Sequence, residues 1–214
     1  MVFSLTRDLV FPPVDLAEPD GLLAVGGDLS TQRLLLAYRS GIFPWFSEPP
    51  ILWWSPDPRF VLLPEELKVS ASMRQLLRKQ VFRITFNQDF PGVIRNCRIT
   101  PRPGQDGTWI TNAMQKAYIK LHEEGYAHSV ECWLDNKLVG GLYGIKMGRC
   151  FFGESMFSLV SNASKAAFIT FVQAAAQEGL ALVDCQVHTE HLASLGARFI
   201  KRTEFIGLLE EYEV

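Results

Sequence analysis

A mixed α+β fold, with a small α+β unit ahead of a larger one, is what this 214-residue chain predicts. Three observations carry that expectation. Strand-like and helix-like patterns are interleaved beyond residue 62, in the order strand, helices, strands, helix, strand, helix, strand. One run, "LALVDCQV", is nearly all apolar, as expected of a strand covered on both faces, and it directly follows the longest helical pattern, "NASKAAFITFVQAAAQEG". The first 60 residues are instead rich in Pro, Gly and Trp and hold only one clear helix. Residues 1–61 are therefore expected to form a small N-terminal domain and residues 62–214 the larger one.

Taken in order, Ser30 is an N-cap for a helix over "TQRLLLAYRS", which Gly41 ends at its C-cap. The Pro-punctuated "IFPWFSEPPILWWSPDPRF" reads as loop and short strand, and "SPDPRFVLLPEEL" as the boundary to the second unit. "SASMRQLLRKQ" is a basic helix and "VFRITF" an alternating strand. "DFPGVIRNC" and "NAMQKAYIKLHEEG" follow as helices. "AHSVECWLDNKLVGGLYGIKM" is a hairpin turning at Asp135-Asn136-Lys137, and "RCFFGES" is the next strand. The long helix starts at Ser161 or Asn162 and stops at Gly179. After "LALVDCQV", the segments "TEHLASLG" and "ARFIKR" supply a last helix and strand.

Composition bounds the class. At 48% hydrophobic and 21% charged, the chain is that of an ordinary globular protein. No stretch approaches the roughly 20 uncharged apolar residues of a membrane span, and the N-terminus lacks the pattern of a secretory signal. Cys97, Cys132, Cys150 and Cys185 are scattered singly, which suits reduced thiols in a cytoplasm better than a disulfide framework or a zinc site. His188 and His191, with only Glu190 nearby, make a poor metal set. The net charge of −2 conceals a basic stretch: between Lys68 and Arg102 stand eight basic residues and one acid, Asp89. A basic face on a near-neutral protein is either a phosphate-binding surface or an ordinary solvated helix face.

The segment "FFGESMFS" sets one acid, Glu154, among large apolar side chains. A charge among apolar groups is costly unless it stays wet or is paired, so Glu154 is expected at the surface or awaiting a cationic ligand. "DCQV" sets Asp184 and Gln186 at i and i+2, hence on the same face of a regular strand. Phe168 and Phe171, at i and i+3, share one helix face and read by themselves as core.

The order of strands and helices resembles the acyltransferase fold of the GCN5-related N-acetyltransferase class. Nine local motifs, "GLLAVGGDLS", "GIFPWFS", "ILWWSPDPR", "GTWIT", "HSVECW", "FFGESMFS", "NASKAAF", "DCQV" and "HLASLGA", resemble the leucyl/phenylalanyl-tRNA–protein transferase family from about Gly21 to Ala197. That resemblance implies transfer of leucine or phenylalanine, less well methionine, from aminoacyl-tRNA to a protein N-terminal Arg or Lys. The product would be an N-degron passed by an adaptor to a Clp-type protease. No cofactor, metal or acetyl-CoA, is implied, and a cytoplasmic monomer is expected.

Site residues follow from the same likeness. Asp184 would polarise Gln186, which accepts a hydrogen bond from the attacking amine, although an amide is a poor base and Gln186 would then serve only to orient it. Glu154 would meet the acceptor's cationic residue or the terminal ribose. Leu142, Phe151, Met156, Phe168, Phe171 and Val183 would line the pocket for the transferred side chain. Trp45 and Trp109 would stack on adenosine, with Tyr38 helping to close the site, whereas Trp53 and Trp54 are better suited to packing. Arg74, Arg78, Lys79 and Arg83 would hold acceptor-stem phosphates.

Two other readings compete. An acetyl-CoA-type N-acetyltransferase would need a Q/R-x-x-G-x-G/A turn to cradle pyrophosphate, and "GESMFSLVSNASK" lacks one. A tRNA-binding module without transfer activity would account for the basic stretch and the tryptophans but leave Glu154, Asp184 and Gln186 without a task. A tRNA-dependent ligase for cell-wall peptides differs in its product.

Overall fold

The computed structural model describes residues 2–101 and 110–214. The N-terminal region builds a four-stranded sheet from β1 (Phe3–Leu5), β2 (Leu22–Gly26), β3 (Phe43–Pro44) and β4 (Leu52–Trp54), in the order β1-β2-β4-β3. Helix α1 (Thr31–Arg39) lies between β2 and β3 in the chain. The Ser30 hydroxyl caps it, accepting from the Arg33 N–H. Gly41 then turns the chain at φ +70°, and a Cβ there would sit 2.5 Å from Ile206 Cδ1, so close approach as well as conformation calls for glycine.

The larger sheet has seven strands: β5 (Arg59–Leu62), β6 (Arg83–Phe86), β7 (Ala127–Leu134), β8 (Lys137–Met147), β9 (Cys150–Ser158), β10 (Leu182–Gln186) and β11 (Arg198–Ile200). Their spatial order is β11-β5-β10-β9-β8-β7-β6, with β9 and β10 parallel and the other neighbours antiparallel. Strand pairing thus passes from the small sheet to the large one between Trp54 and Arg59. The β7–β8 hairpin turns at Asp135 and Asn136, both at positive φ, the backbone of a type I′ turn.

Helices α2 (Ala71–Arg78), α3 (Phe90–Ile99), α4 (Asn112–Glu123), α5 (Ala163–Gln177), α6 (Glu190–Ala193) and α7 (Arg202–Glu211) complete the fold. Adjacent residues sort to opposite sheet faces. Phe60, Leu62, Phe151 and Val183 pack with Phe168, Ile169 and Val172 of α5. Val61, Phe152 and Ile145 face Tyr38 of α1, Val93 of α3, Tyr118 of α4 and Phe205 of α7. Two cores, one on each face, explain why "FVLL", "CFF" and "LVDC" read as continuous apolar runs. The α+β class matches expectation; the final element does not. Beyond "ARFIKR" the chain adds α7, whose Phe205 and Leu209 are buried at i, i+4 while Gly207 and the closing acids obscure the periodicity. Among the described residues no helix is long and apolar enough to cross a membrane.

Candidate active site

Strands β9 and β10 run together only from Cys150–Leu182 to Phe152–Asp184. Past that point β9 continues to Ser158 on β8 alone, and the parting of the two strands opens a cavity of about 820 Å³. Residues 153–158 form one wall and residues 183–187 the other. Ligand sites recur where strands end or separate, because backbone groups and side chains there lack a neighbouring strand.

Each parting strand carries a bulge at the mouth. On β9, Ser155 pairs with Tyr143 while Gly153 pairs with Gly144, leaving Glu154 as the extra residue. Gly144 permits this: a Cβ there would stand 2.2 Å from the Phe152 carbonyl oxygen. On β10, Asp184 pairs with Val61 and Gln186 with Phe60, so one residue is inserted, and Gln186 takes φ +63°. Bulges re-aim side chains. The i, i+2 parity expected for Asp184 and Gln186 therefore does not hold as it would in a regular strand.

Asp184 is fully buried and its carboxylate is bound at both oxygens by Arg59, from Nε at 2.8 Å and Nη2 at 2.7 Å. Arg59 also donates to the Gly41 carbonyl, and its guanidinium lies over the rings of Phe43 at 4.7 Å and Phe205 at 4.6 Å. Asp184 Oδ1 further accepts the Gln186 main-chain N–H at 2.9 Å. The expected relay from Asp184 to the Gln186 side chain is not the arrangement observed: Asp184 fixes the Gln186 backbone, and the Gln186 amide answers to Glu154 instead.

Glu154 does not escape to the surface: it borders the cavity, 8% exposed, and its carboxyl is met by neutral donors. Its Oε1 accepts from Tyr38 Oη and Gln186 Nε2, both at 2.8 Å, and its Oε2 accepts from Tyr118 Oη at 2.8 Å. The two tyrosine oxygens also touch each other. Burial pushes the Glu154 carboxyl up to about 7, and the nearby Asp184 charge adds to the rise, against the lowering by the three donors. Tyr38 and Tyr118 are held well above the usual phenol range, first by burial and then by facing Glu154.

The apolar wall comprises Leu142, Phe151, Met156, Phe168 and Val183, as expected. Phe171 stands behind it, its ring 4.4 Å from that of Phe151. Tyr38 likewise sits behind Glu154 rather than in the wall. Trp45 borders the cavity and is 41% exposed, an open aromatic face beside the entrance. Trp54 braces it, donating from its indole N–H to the Trp45 carbonyl, whereas Trp53 is buried and donates to Gly26. The Trp109 expectation lies outside the described residues.

Arg74, Arg78 and Lys79, on and just after α2, are exposed and do not border the cavity. Arg83 is on β6, at the sheet edge four strands from β10, with its guanidinium over Trp133 at 5.1 Å. Two residues that sequence reasoning missed complete the site, Arg59 and Tyr118. A buried acid on an apolar strand calls for a cation, but nothing local singles out Arg59 from 21 basic residues. Tyr118 reads as one more apolar position of α4.

Residues 61–210 match the family described as leucyl/phenylalanyl-tRNA protein transferase, and residues 27–57 match the N-terminal domain described for it. Curated relatives carrying the name leucyl/phenylalanyl-tRNA–protein transferase include those of Syntrophobacter fumaroxidans and Flavobacterium johnsoniae. The first is 58% identical, covering 98% of this chain and 90% of the relative. The second is 56% identical, covering 98% and 99%. Among solved structures, FemX superposes at TM-score 0.53 with 11% identity, over 84% of this chain and 71% of that one, a likeness of fold alone. A family match across most of the chain, joined to relatives at this identity, leads to one conclusion: the chain belongs to the leucyl/phenylalanyl-tRNA–protein transferase family.

Proposed function

We propose that this protein is an aminoacyltransferase, moving leucine or phenylalanine, less well methionine, from the 3′ end of aminoacyl-tRNA to the α-amino group of a protein N-terminal Arg or Lys. The observation that carries this reading is the cavity itself. An apolar wall large enough for such a side chain meets, at the strand parting, a single amide whose nitrogen is already committed to Glu154. The product would be an N-degron, and the reaction would take place in the cytoplasm of a bacterium, by a monomer.

The chemistry needed is modest, because the ester donor is already activated and the enzyme's task is chiefly positioning. The acceptor's amine nitrogen attacks the ester carbonyl carbon, forming the peptide bond, while the carbon–oxygen bond to the ribose breaks. The amine's proton leaves and the ribose oxygen gains one, so the two products are neutral amide and free tRNA. An α-amine with a pKa of roughly 7.7–8.0 is partly unprotonated at neutral pH. Gln186 Oε1 accepts a hydrogen bond from that amine and aims it; Asp184, held by Arg59, acts as a positioning residue by fixing the Gln186 backbone.

The apolar wall selects the transferred side chain by shape, which is worth about 1–3 kcal/mol per methyl-sized difference. The pliable Met156 leaves room for methionine. Trp45 stacks on the terminal adenosine, with Trp109 as its expected companion. Arg74, Arg78, Lys79 and Arg83, being away from the cavity, would meet phosphates of the acceptor stem farther from its 3′ end. Residues 1–61 would act as a domain contributing to the 3′-end site, and 62–214 as the transferase domain. The test is transfer of labelled phenylalanine from charged tRNA to an Arg-starting peptide. Incorporation that requires Gln186 supports the reading, and a folded protein that binds charged tRNA without transfer would favour a binding module.

A further inference from the structure

Three oxygen–oxygen contacts close a ring that reaches the cavity wall at Glu154: Tyr38 to Glu154 Oε1, Glu154 Oε2 to Tyr118, and Tyr118 to Tyr38. A hydrogen bond needs one proton per contact. The two hydroxyls bring two protons for three contacts. With an ionised carboxylate, both hydroxyls point at Glu154, and the two tyrosine oxygens, in direct contact, face each other with lone pairs only. One more proton resolves the ring. Glu154 Oε2–H donates to Tyr118, Tyr118 O–H to Tyr38, and Tyr38 O–H to Glu154 Oε1; the reverse sense serves equally well. In either sense Oε1 keeps a lone pair for Gln186 Nε2, 2.8 Å away.

We infer that Glu154 is an un-ionised acid in the resting protein, that its proton closes a hydrogen-bonded ring with Tyr38 and Tyr118, and that this ring is the device that holds the Gln186 amide with its carbonyl oxygen toward the substrate.

The surroundings agree from every side. Tyr38 faces Glu154 from α1, Tyr118 from α4, and Asp184 and Gln186 from β10, while Tyr143 of β8 bears on the two phenols. None is a cation. Arg59, on β5, is committed to Asp184 and the Gly41 carbonyl. A second anion beside Asp184 would be buried with neutral donors and no cation of its own, which is the more costly state. Because the carboxyl proton lies inside the ring, Glu154 can only accept from Gln186. That dictates which end of the amide faces inward and leaves Oε1 as the acceptor at the cavity. Tyr118 is thereby a positioning residue, acting on the reaction through Glu154 and Gln186. The cationic side chain of an acceptor peptide must then find its partner elsewhere than Glu154.

The functional half of this inference rests on the transfer reaction proposed above; the protonation half does not. Two measurements separate them. Infrared spectroscopy of the substrate-free protein should show the carbonyl stretch of an un-ionised carboxylic acid below the titration near about 7, lost above it, and absent from Glu154→Gln. Glutamine at this position supplies an N–H and a carbonyl, so it can close the same ring with no titrating proton. In the transfer assay Glu154→Gln should therefore recover most of what Glu154→Ala loses, the latter falling roughly a hundredfold through misplacement of the amide. Tyr118→Phe should lower kcat more than it raises KM and displace the infrared titration. Absence of the acid band in wild type below that titration would overturn the inference. So would a folded Glu154→Gln as inactive as Glu154→Ala. A wild-type protein that transfers nothing would refute the reaction while the spectrum still decides the ring.

Discussion

Asp184 and Glu154 are buried carboxyl groups on adjacent strands, β10 and β9, and the protein holds them in opposite ways. Asp184 meets a guanidinium at both oxygens and accepts a third hydrogen bond from the Gln186 main-chain N–H. Glu154 meets two phenols and an amide, all neutral. The first arrangement is a rigid ion pair that ties β10 to β5 and, through Gly41, to the end of α1. The second is a proton-sharing cluster that ties α1 and α4 to the mouth of the cavity. At Glu154, where no cation compensates, burial pushes the proton onto the acid. The two groups converge on one residue: Asp184 fixes the backbone of Gln186 and Glu154 fixes its amide.

The comparison breaks first at the ion pair. Arg59→Ala leaves a buried anion uncompensated and should lower unfolding free energy by about 3–5 kcal/mol, measured by denaturant titration. Arg59→Met combined with Asp184→Leu should recover much of that, because a well-packed apolar pair avoids the desolvation cost. A wild-type midpoint for Arg59→Ala would mean that the pair braces nothing.

Glu154 predicts the next effect, and its sign is fixed by linkage. The folded-state value near 7 lies above the ordinary 4.5, so the folded protein binds a proton that the unfolded chain has released between those values. That contribution is fully present at low pH and is lost as pH rises through about 7. Between about pH 5 and pH 8 the wild type should lose about 2–3 kcal/mol more than Glu154→Gln, in parallel urea titrations. Equal losses in the two proteins would contradict the burial of Glu154 without a cation.

Smaller effects belong to the surface. Trp45→Ala should weaken binding of charged tRNA by about 1–3 kcal/mol, the value of one stacked base, with unfolding midpoints unchanged. Arg78→Ala and Lys79→Ala should leave kcat intact and reduce the slope of binding against salt by about one phosphate each.

How far the sequence led can be judged at these same residues. Helix ends were readable because Ser30, Gly41 and Gly179 act locally, through hydroxyl caps and positive φ. The large sheet was readable because strands covered on both faces leave continuous apolar runs. The apolar wall came from the family likeness, since Phe151 and Phe168 read as core by themselves. What failed was whatever depended on register. The bulges at Glu154 and between Asp184 and Gln186 leave no mark in a count of alternating residues, and they decide where those side chains point. Partners far apart in the chain were equally hidden: Arg59 lies 125 residues from Asp184, and Tyr118 lies 36 from Glu154. The last helix was lost because two buried side chains over ten residues make a weak periodic signal.

Filling the cavity tests the central claim most directly. Met156→Trp should occupy the space between the parted strands with little change in the unfolding midpoint. Phenylalanine transfer from charged tRNA to an Arg-starting peptide should then collapse, while binding of uncharged tRNA persists. Undiminished transfer by that folded variant would contradict the account, since the esterified side chain would have to bind somewhere else.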